Sequence, residues 1–238
     1  MQSLRDICEY FNDGVSAIRL FDYDQNKSYF FENNKFERGI RAYESKKVRQ
    51  IIDAQLKGCV YLSKNYSIEI VIPFVTNIQD IITIKNKLKE YDSNIPVCVM
   101  IENPASYLSV KEFAEYVNSF SIGTNDLLQY FFACDRDSIS KEINYINPYS
   151  KALIDFWQLY PSNLLNKTRI CGQLPIYPYM LQTLIQLGFK NFSIPSPMIP
   201  FVAKKIKNIS LCQEFIAHLK TLTNDDEVRN YIIATMLK

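Results

Sequence analysis

Short apolar runs rich in β-branched and aromatic residues alternate with longer amphipathic runs along the whole chain. No other feature restricts the fold as strongly. The apolar runs fall at residues 15–21, 68–74, 97–102, 120–123, 169–171 and 191–194. Helical patterns occupy 41–57, 78–91, 106–118, 150–160, 179–187 and 203–209, with a closing helix at 225–237 capped by Asn224 or Asp225. Ile81, Ile84 and Leu88, for example, recur at helical spacing. Strands separated by helices of this length predict parallel pairing through helical crossovers. Strands that are apolar throughout predict burial on both faces.

Two architectures satisfy that pattern: a doubly wound open sheet and a (β/α) barrel. Polar residues recur where the predicted strands end, at Arg19, Asp22, Glu102, Asn125, Asp126 and Cys171. In a barrel those ends converge on one face, whereas an open sheet spreads them along a row. The barrel is therefore the expected fold, as a single domain over residues 1–238.

Bulk properties exclude several classes. A hydrophobic content of 47% supports a sizeable core, and a net charge of +2 gives no nucleic-acid footprint. No stretch approaches the roughly twenty apolar residues of a membrane span. Residues 1–14, MQSLRDICEYFNDG, read as a short amphipathic helix and not as a signal peptide. The six cysteines form no C-x-x-C pair, so reduced thiols are expected, in a cytoplasmic protein. His218, the only histidine, reads as a helix-surface or packing residue.

Chemistry concentrates at 119–136, SFSIGTNDLLQYFFACDR. A strand ends there in Gly123-Thr124-Asn125-Asp126 and a helix starts at once. Helix-start amides and the helix dipole make such a junction an anion site, and Gly123 allows close backbone approach. Glu102 ends the preceding strand, and Asp126 follows it by 24 positions, one βα unit on. Two carboxylates beside a phosphate-bearing substrate are the usual protein share of a Mg²⁺ site. Arg19 and Arg136 add forked donors suited to phosphate or carboxylate. Each residue also has a plain structural reading: a strand end for Glu102, an Asx cap for Asn125, a helix C-terminal charge for Arg136, a buried inert thiol for Cys171.

These segments resemble the PEP-utilising enzymes, most closely enzyme I of the bacterial sugar phosphotransferase system. SIGTNDLLQYFFACDR is similar to the family's second signature, with Asn118 and Phe131 as mild departures. MIENPAS (100–106), ICGQL (170–174), IRLFDYDQNK (18–27) and NKFERGIRAY (34–43) resemble further family elements in the same order. The resemblance implies a (β/α)8 TIM-type barrel with about six of its eight strands in this chain, truncated at the N-terminus. It implies Mg²⁺ held by Glu102 and Asp126, and phosphoenolpyruvate gripped by Arg19, Asn125 and Arg136, with Arg41, Gly123 and Thr124 nearby. Cys171 would move a proton at the methylene carbon of enolpyruvate.

The implied activity is phosphoryl transfer from PEP to a histidine on a separate domain or protein, releasing pyruvate. The implied barrel needs a second copy or a partner chain, or the N-terminal helix with an oligomeric contact, to cover its open side. The departures are Gln173 in place of a family Glu and DYDQNK in place of a glycine loop. They keep two alternatives open: an impaired PEP- or pyruvate-binding or protein-interaction module, and a Mg²⁺-dependent lyase acting through enolpyruvate.

Overall fold

The computed structural model describes residues 2–11, 13–22, 38–134 and 146–236. Six strands follow one another in the sheet in chain order: β1 (Ser16–Arg19), β2 (Ile68–Ile72), β3 (Val97–Ile101), β4 (Ser119–Gly123), β5 (Thr168–Cys171) and β6 (Asn191–Ser193). The registers of β1 with β2, β2 with β3 and β5 with β6 are parallel, as the helical crossovers require. This is the α/β architecture of an incomplete (β/α) barrel. Two compact units divide the chain, Met1–Ser121 and Ile122–Lys238.

In the first unit every residue of β2, IEIVI, is buried, as expected of an inner parallel strand. Packed against it is α2 (Lys46–Leu62), whose Val48, Ile52, Leu56 and Cys59 are fully buried at helical spacing. Each such aliphatic side chain contributes about 1.5–3 kcal/mol by leaving water. The helix predicted at 41–57 is shifted. A 3-10 turn at Gly39–Glu44 comes first, and Ser45, extended at φ −66° and ψ 126°, separates it from α2. Next comes α3 (Ile78–Glu90), which starts at a full capping box between Asn77 and Asp80.

The helix predicted at 106–118 is two short pieces, α4 (Pro104–Leu108) and α5 (Val110–Phe113). Pro104 sits in the first turn, where a missing N–H costs nothing, and Asn103 caps it by accepting from the Ser106 amide at 2.9 Å. The N-terminal pattern is helical as expected, α1 (Gln2–Tyr10). A cavity of about 830 Å³ lies between α1 and β1, lined by Ile7, Tyr10, Phe11 and Val15 among others.

In the second unit α6 (Thr124–Phe131) follows β4 directly, and α7 (Lys151–Gln158) buries Leu153, Ile154 and Trp157. Trp157 meets Phe189 edge-to-face at 5.9 Å. Left-handed Gly188 (φ 97°) ends α8 (Met180–Gln186), and the Phe189 amide turns back to the Leu184 carbonyl at 3.1 Å. After β6 comes α9 (Ile199–Ile206), earlier than the predicted 203–209, because Pro200 supplies a preset first-turn φ. The chain then forms α10 (Phe215–Thr221) and α11 (Asp225–Met236). Asn224 caps α11 by accepting from the Glu227 amide at 3.0 Å. Full burial of the strands does not extend to β6, where Asn191 and Ser193 are exposed, nor to β1. Both are edge strands, with a neighbour on one side only.

Candidate functional site

The predicted site residues fall into two groups, one in each unit. Arg19, Arg41 and Glu102 belong to the first; Gly123, Thr124, Asn125, Asp126 and Cys171 belong to the second. Arg136 lies outside the described residues.

Glu102 follows the last residue of β3 and is 1% exposed. A carboxylate so buried must be met by donors. Its Oε2 accepts the backbone N–H of Phe74 at 3.0 Å, and its Oε1 lies 4.0 Å from Nη1 of Arg19. The Arg19 side chain is 44% exposed, so its fork keeps donors open to a ligand. Arg41 is exposed on the 3-10 turn.

The same end of the first unit carries a second buried carboxylate. Asp22 accepts from Nη2 of Arg38 at 2.8 Å and from the Gly39 amide at 2.9 Å. The Arg38 guanidinium lies over the Phe74 ring, 3.8 Å from its centroid. Phe74 itself is left-handed at φ 49°, a conformation costing about 1–3 kcal/mol outside glycine. It also ends β2 two residues before the predicted 68–74 does. Sequence reading passed over Arg38 and Phe74. The only local signal was the Pro73-Phe74 break after an apolar strand.

In the second unit the site is built around the turn from β4 into α6. Gly123 is the N-cap and has no side chain to satisfy the first-turn amides of α6. Asp126 stands in that first turn, where the helix dipole favours a carboxylate. The Asn125 Oδ1 accepts the Gln173 amide at 2.9 Å. The amide group is thereby oriented, its Nδ2 donors pointing away from that bond. The Thr124 hydroxyl donates to the Cys171 carbonyl at 2.8 Å and receives the Leu174 amide at 3.4 Å.

Gly172, left-handed at φ 103°, makes this closeness achievable. A Cβ there would lie 2.5 Å from Thr124 Oγ1 and 2.9 Å from Asn125 Oδ1. Cys171 is half-buried, and its thiol donates to the Ile122 carbonyl at 3.3 Å. The second unit thus brings Thr124, Asn125 and Cys171 together at the ends of β4 and β5. His218 is exposed on the surface of α10 with its ring 4.1 Å from that of Tyr231, as a helix-surface or packing residue would be. Among the described residues, no three His, Cys, Asp or Glu side chains are grouped for a metal ion.

Residues 1–211 match the protein family described as PEP-utilising enzyme, PEP-binding domain. The chain belongs to this family. Among curated members of the PEP-utilising enzymes, the phosphoenolpyruvate-protein phosphotransferase of Haemophilus influenzae is 30% identical over 227 residues, 87% of this chain and 39% of that protein. Its counterpart in Buchnera aphidicola subsp. Schizaphis graminum is 31% identical over 234 residues, 88% of this chain and 40% of that protein. Multiphosphoryl transfer protein 2 of Escherichia coli K12 is 28% identical over 176 residues, 68% of this chain and 21% of that protein.

The chain thus spans between about a fifth and two fifths of the length of these relatives. A pyruvate kinase from Pyrobaculum aerophilum shares the fold, with a TM-score of 0.51 and 12% identity over 71% of this chain and 38% of its own. Among the described residues, no helix is long and apolar enough to cross a membrane.

Proposed function

We propose that this chain is a cytoplasmic PEP-binding domain that supports transfer of the phosphoryl group of phosphoenolpyruvate to a histidine on a separate domain or protein. The observation that carries the reading is the turn from β4 into α6. In a chain of this family, an oriented carboxamide, a helix start whose N-cap is a glycine and a carboxylate stand together there. In this reading Arg19 and Asn125 bind the phosphate, joined by Arg136 and by backbone at Gly123 and Thr124, with Arg41 nearby. Glu102 and Asp126 take the metal-ligand roles. Their hard carboxylate oxygens fit Mg²⁺, and Glu102 is already ordered by a backbone donor. When bound, Mg²⁺ supplies charge neutralisation for the phosphate and carboxylate of PEP.

The transfer breaks the bond between phosphorus and the enol oxygen and forms one between phosphorus and an imidazole nitrogen. The Cys171 thiol gives its proton to the methylene carbon of the leaving enolpyruvate, which becomes pyruvate. The position of Cys171 at the end of β5, where its carbonyl is bonded to Thr124 beside Asn125, supports that role. A second copy or a partner chain beside β1 would complete the barrel. Mixing the chain with PEP, Mg²⁺ and a histidine-bearing acceptor domain tests the reading. Pyruvate release that depends on all three components is expected.

A PEP-binding module without turnover is the second reading, favoured by Gln173 in place of the family's glutamate. It predicts PEP binding with no pyruvate released.

A further inference from the structure

We infer that Arg38 is a positioning residue for Glu102, acting through Phe74. This rests on the function proposed above, in which Glu102 holds a divalent cation. The backbone N–H of Phe74 is the donor that fixes Oε2 of Glu102, at 3.0 Å, and Phe74 itself is held at φ 49°. An aromatic residue does not rest in that conformation unless its surroundings hold it there.

Two contacts do so. The Arg38 guanidinium covers the Phe74 ring at 3.8 Å. Gly39 packs so closely that a Cβ on it would lie 2.7 Å from Phe74 Cβ and 2.9 Å from the Pro73 carbonyl oxygen. Asp22, 2% exposed, locks both at once, accepting from Arg38 at 2.8 Å and from the Gly39 amide at 2.9 Å. The segment after β1 is thereby latched to the turn after β2, and that turn to the carboxylate after β3. Arginine suits the post because its planar fork can stack and pair at the same time.

The test is Mn²⁺ binding in the presence of PEP, read from the electron paramagnetic resonance of free Mn²⁺, with the thermal midpoint recorded for each protein. Arg38→Met and Arg38→Lys should each weaken Mn²⁺ by about tenfold or more, the range typical of groups that orient metal ligands. Glu102→Gln should lose binding altogether. A merely structural role for Arg38 would lower the midpoint and leave the dissociation constant of the folded fraction unchanged. If Arg38→Met does not fold, Arg38→Lys decides alone, since it keeps the charge beside Asp22 and loses the planar stack. Arg38 variants that bind Mn²⁺ like the wild type, while Glu102→Gln does not, overturn this inference and leave the function standing. A wild type that binds no Mn²⁺ with PEP overturns both.

Discussion

The backbone amide of Gln173 donates to Oδ1 of Asn125 at 2.9 Å, tying the turn after β5 to the start of α6. The bond uses the oxygen of the carboxamide and leaves its N–H donors for an anion. Asn125→Asp keeps an acceptor for Gln173 and puts a negative charge where phosphate is expected. It should weaken PEP binding by at least tenfold in calorimetric titration. Asn125→Ala should cost about 1 kcal/mol of stability as well, by leaving the Gln173 amide without its acceptor.

Gly172→Ala should be poorly tolerated. The new Cβ would sit 2.5 Å from the Thr124 hydroxyl oxygen, in a backbone with φ 103° that an L side chain rarely adopts. Strain of this kind costs about 1–3 kcal/mol, before any displacement of Asn125. A thermal midpoint lowered by several degrees, with weakened PEP binding, is the expected result in calorimetry and titration.

The strands were legible because β-branched runs bounded by polar turns need no tertiary information. What surrounds them was less so. The end of β2 was read too late because Phe74 leaves the strand to serve Glu102, 28 positions away. The helix at 41–57 was misplaced because left-handed Gly39 packs against Pro73 and Phe74, outside the segment, and an extended Ser45 separates its 3-10 turn from α2. Asn125 was legible as a site residue by type and place. Its partner was not, since a backbone amide 48 positions on carries no sequence signal. Asp22 was visible as a strand-end carboxylate, but its bond to Arg38 was not.

Burial should sort the cysteines by reactivity. The Cys59 thiol is pushed up to about 11 by desolvation, with Cys8 nearby adding to the effect. At pH 8 only about one Cys59 in a thousand is thiolate, which suppresses alkylation. Cys212 is exposed. Iodoacetamide followed by mass spectrometry should label Cys212 in the native protein. Cys8, Cys59 and Cys98 should be labelled only after denaturation.

The start of α11 should weaken in acid. Glu227 accepts the Thr223 amide at 2.7 Å and its hydroxyl at 3.0 Å, and these bonds lower its pKa. A carboxylate whose folded pKa is depressed adds stability above its unfolded value and loses it as pH falls through the folded one. Hydrogen exchange should therefore show the first turn of α11 opening more readily at pH 3 than at pH 6. Asn224→Ala should mimic the effect at neutral pH, at a cost of about 1 kcal/mol.

The proposed function requires PEP and a divalent cation to bind together, with Asp126 and Glu102 as the metal ligands. A ligand at a hundred times its dissociation constant stabilises the native state by about 2.7 kcal/mol, which for a chain of this size is about 5–10 °C. The most direct measurement is the thermal midpoint of wild type and Asp126→Ala with PEP and Mg²⁺, each alone and combined. A rise of that order is expected for the wild type with both ligands, and none for Asp126→Ala. A wild-type midpoint unmoved by saturating PEP and Mg²⁺ would contradict it.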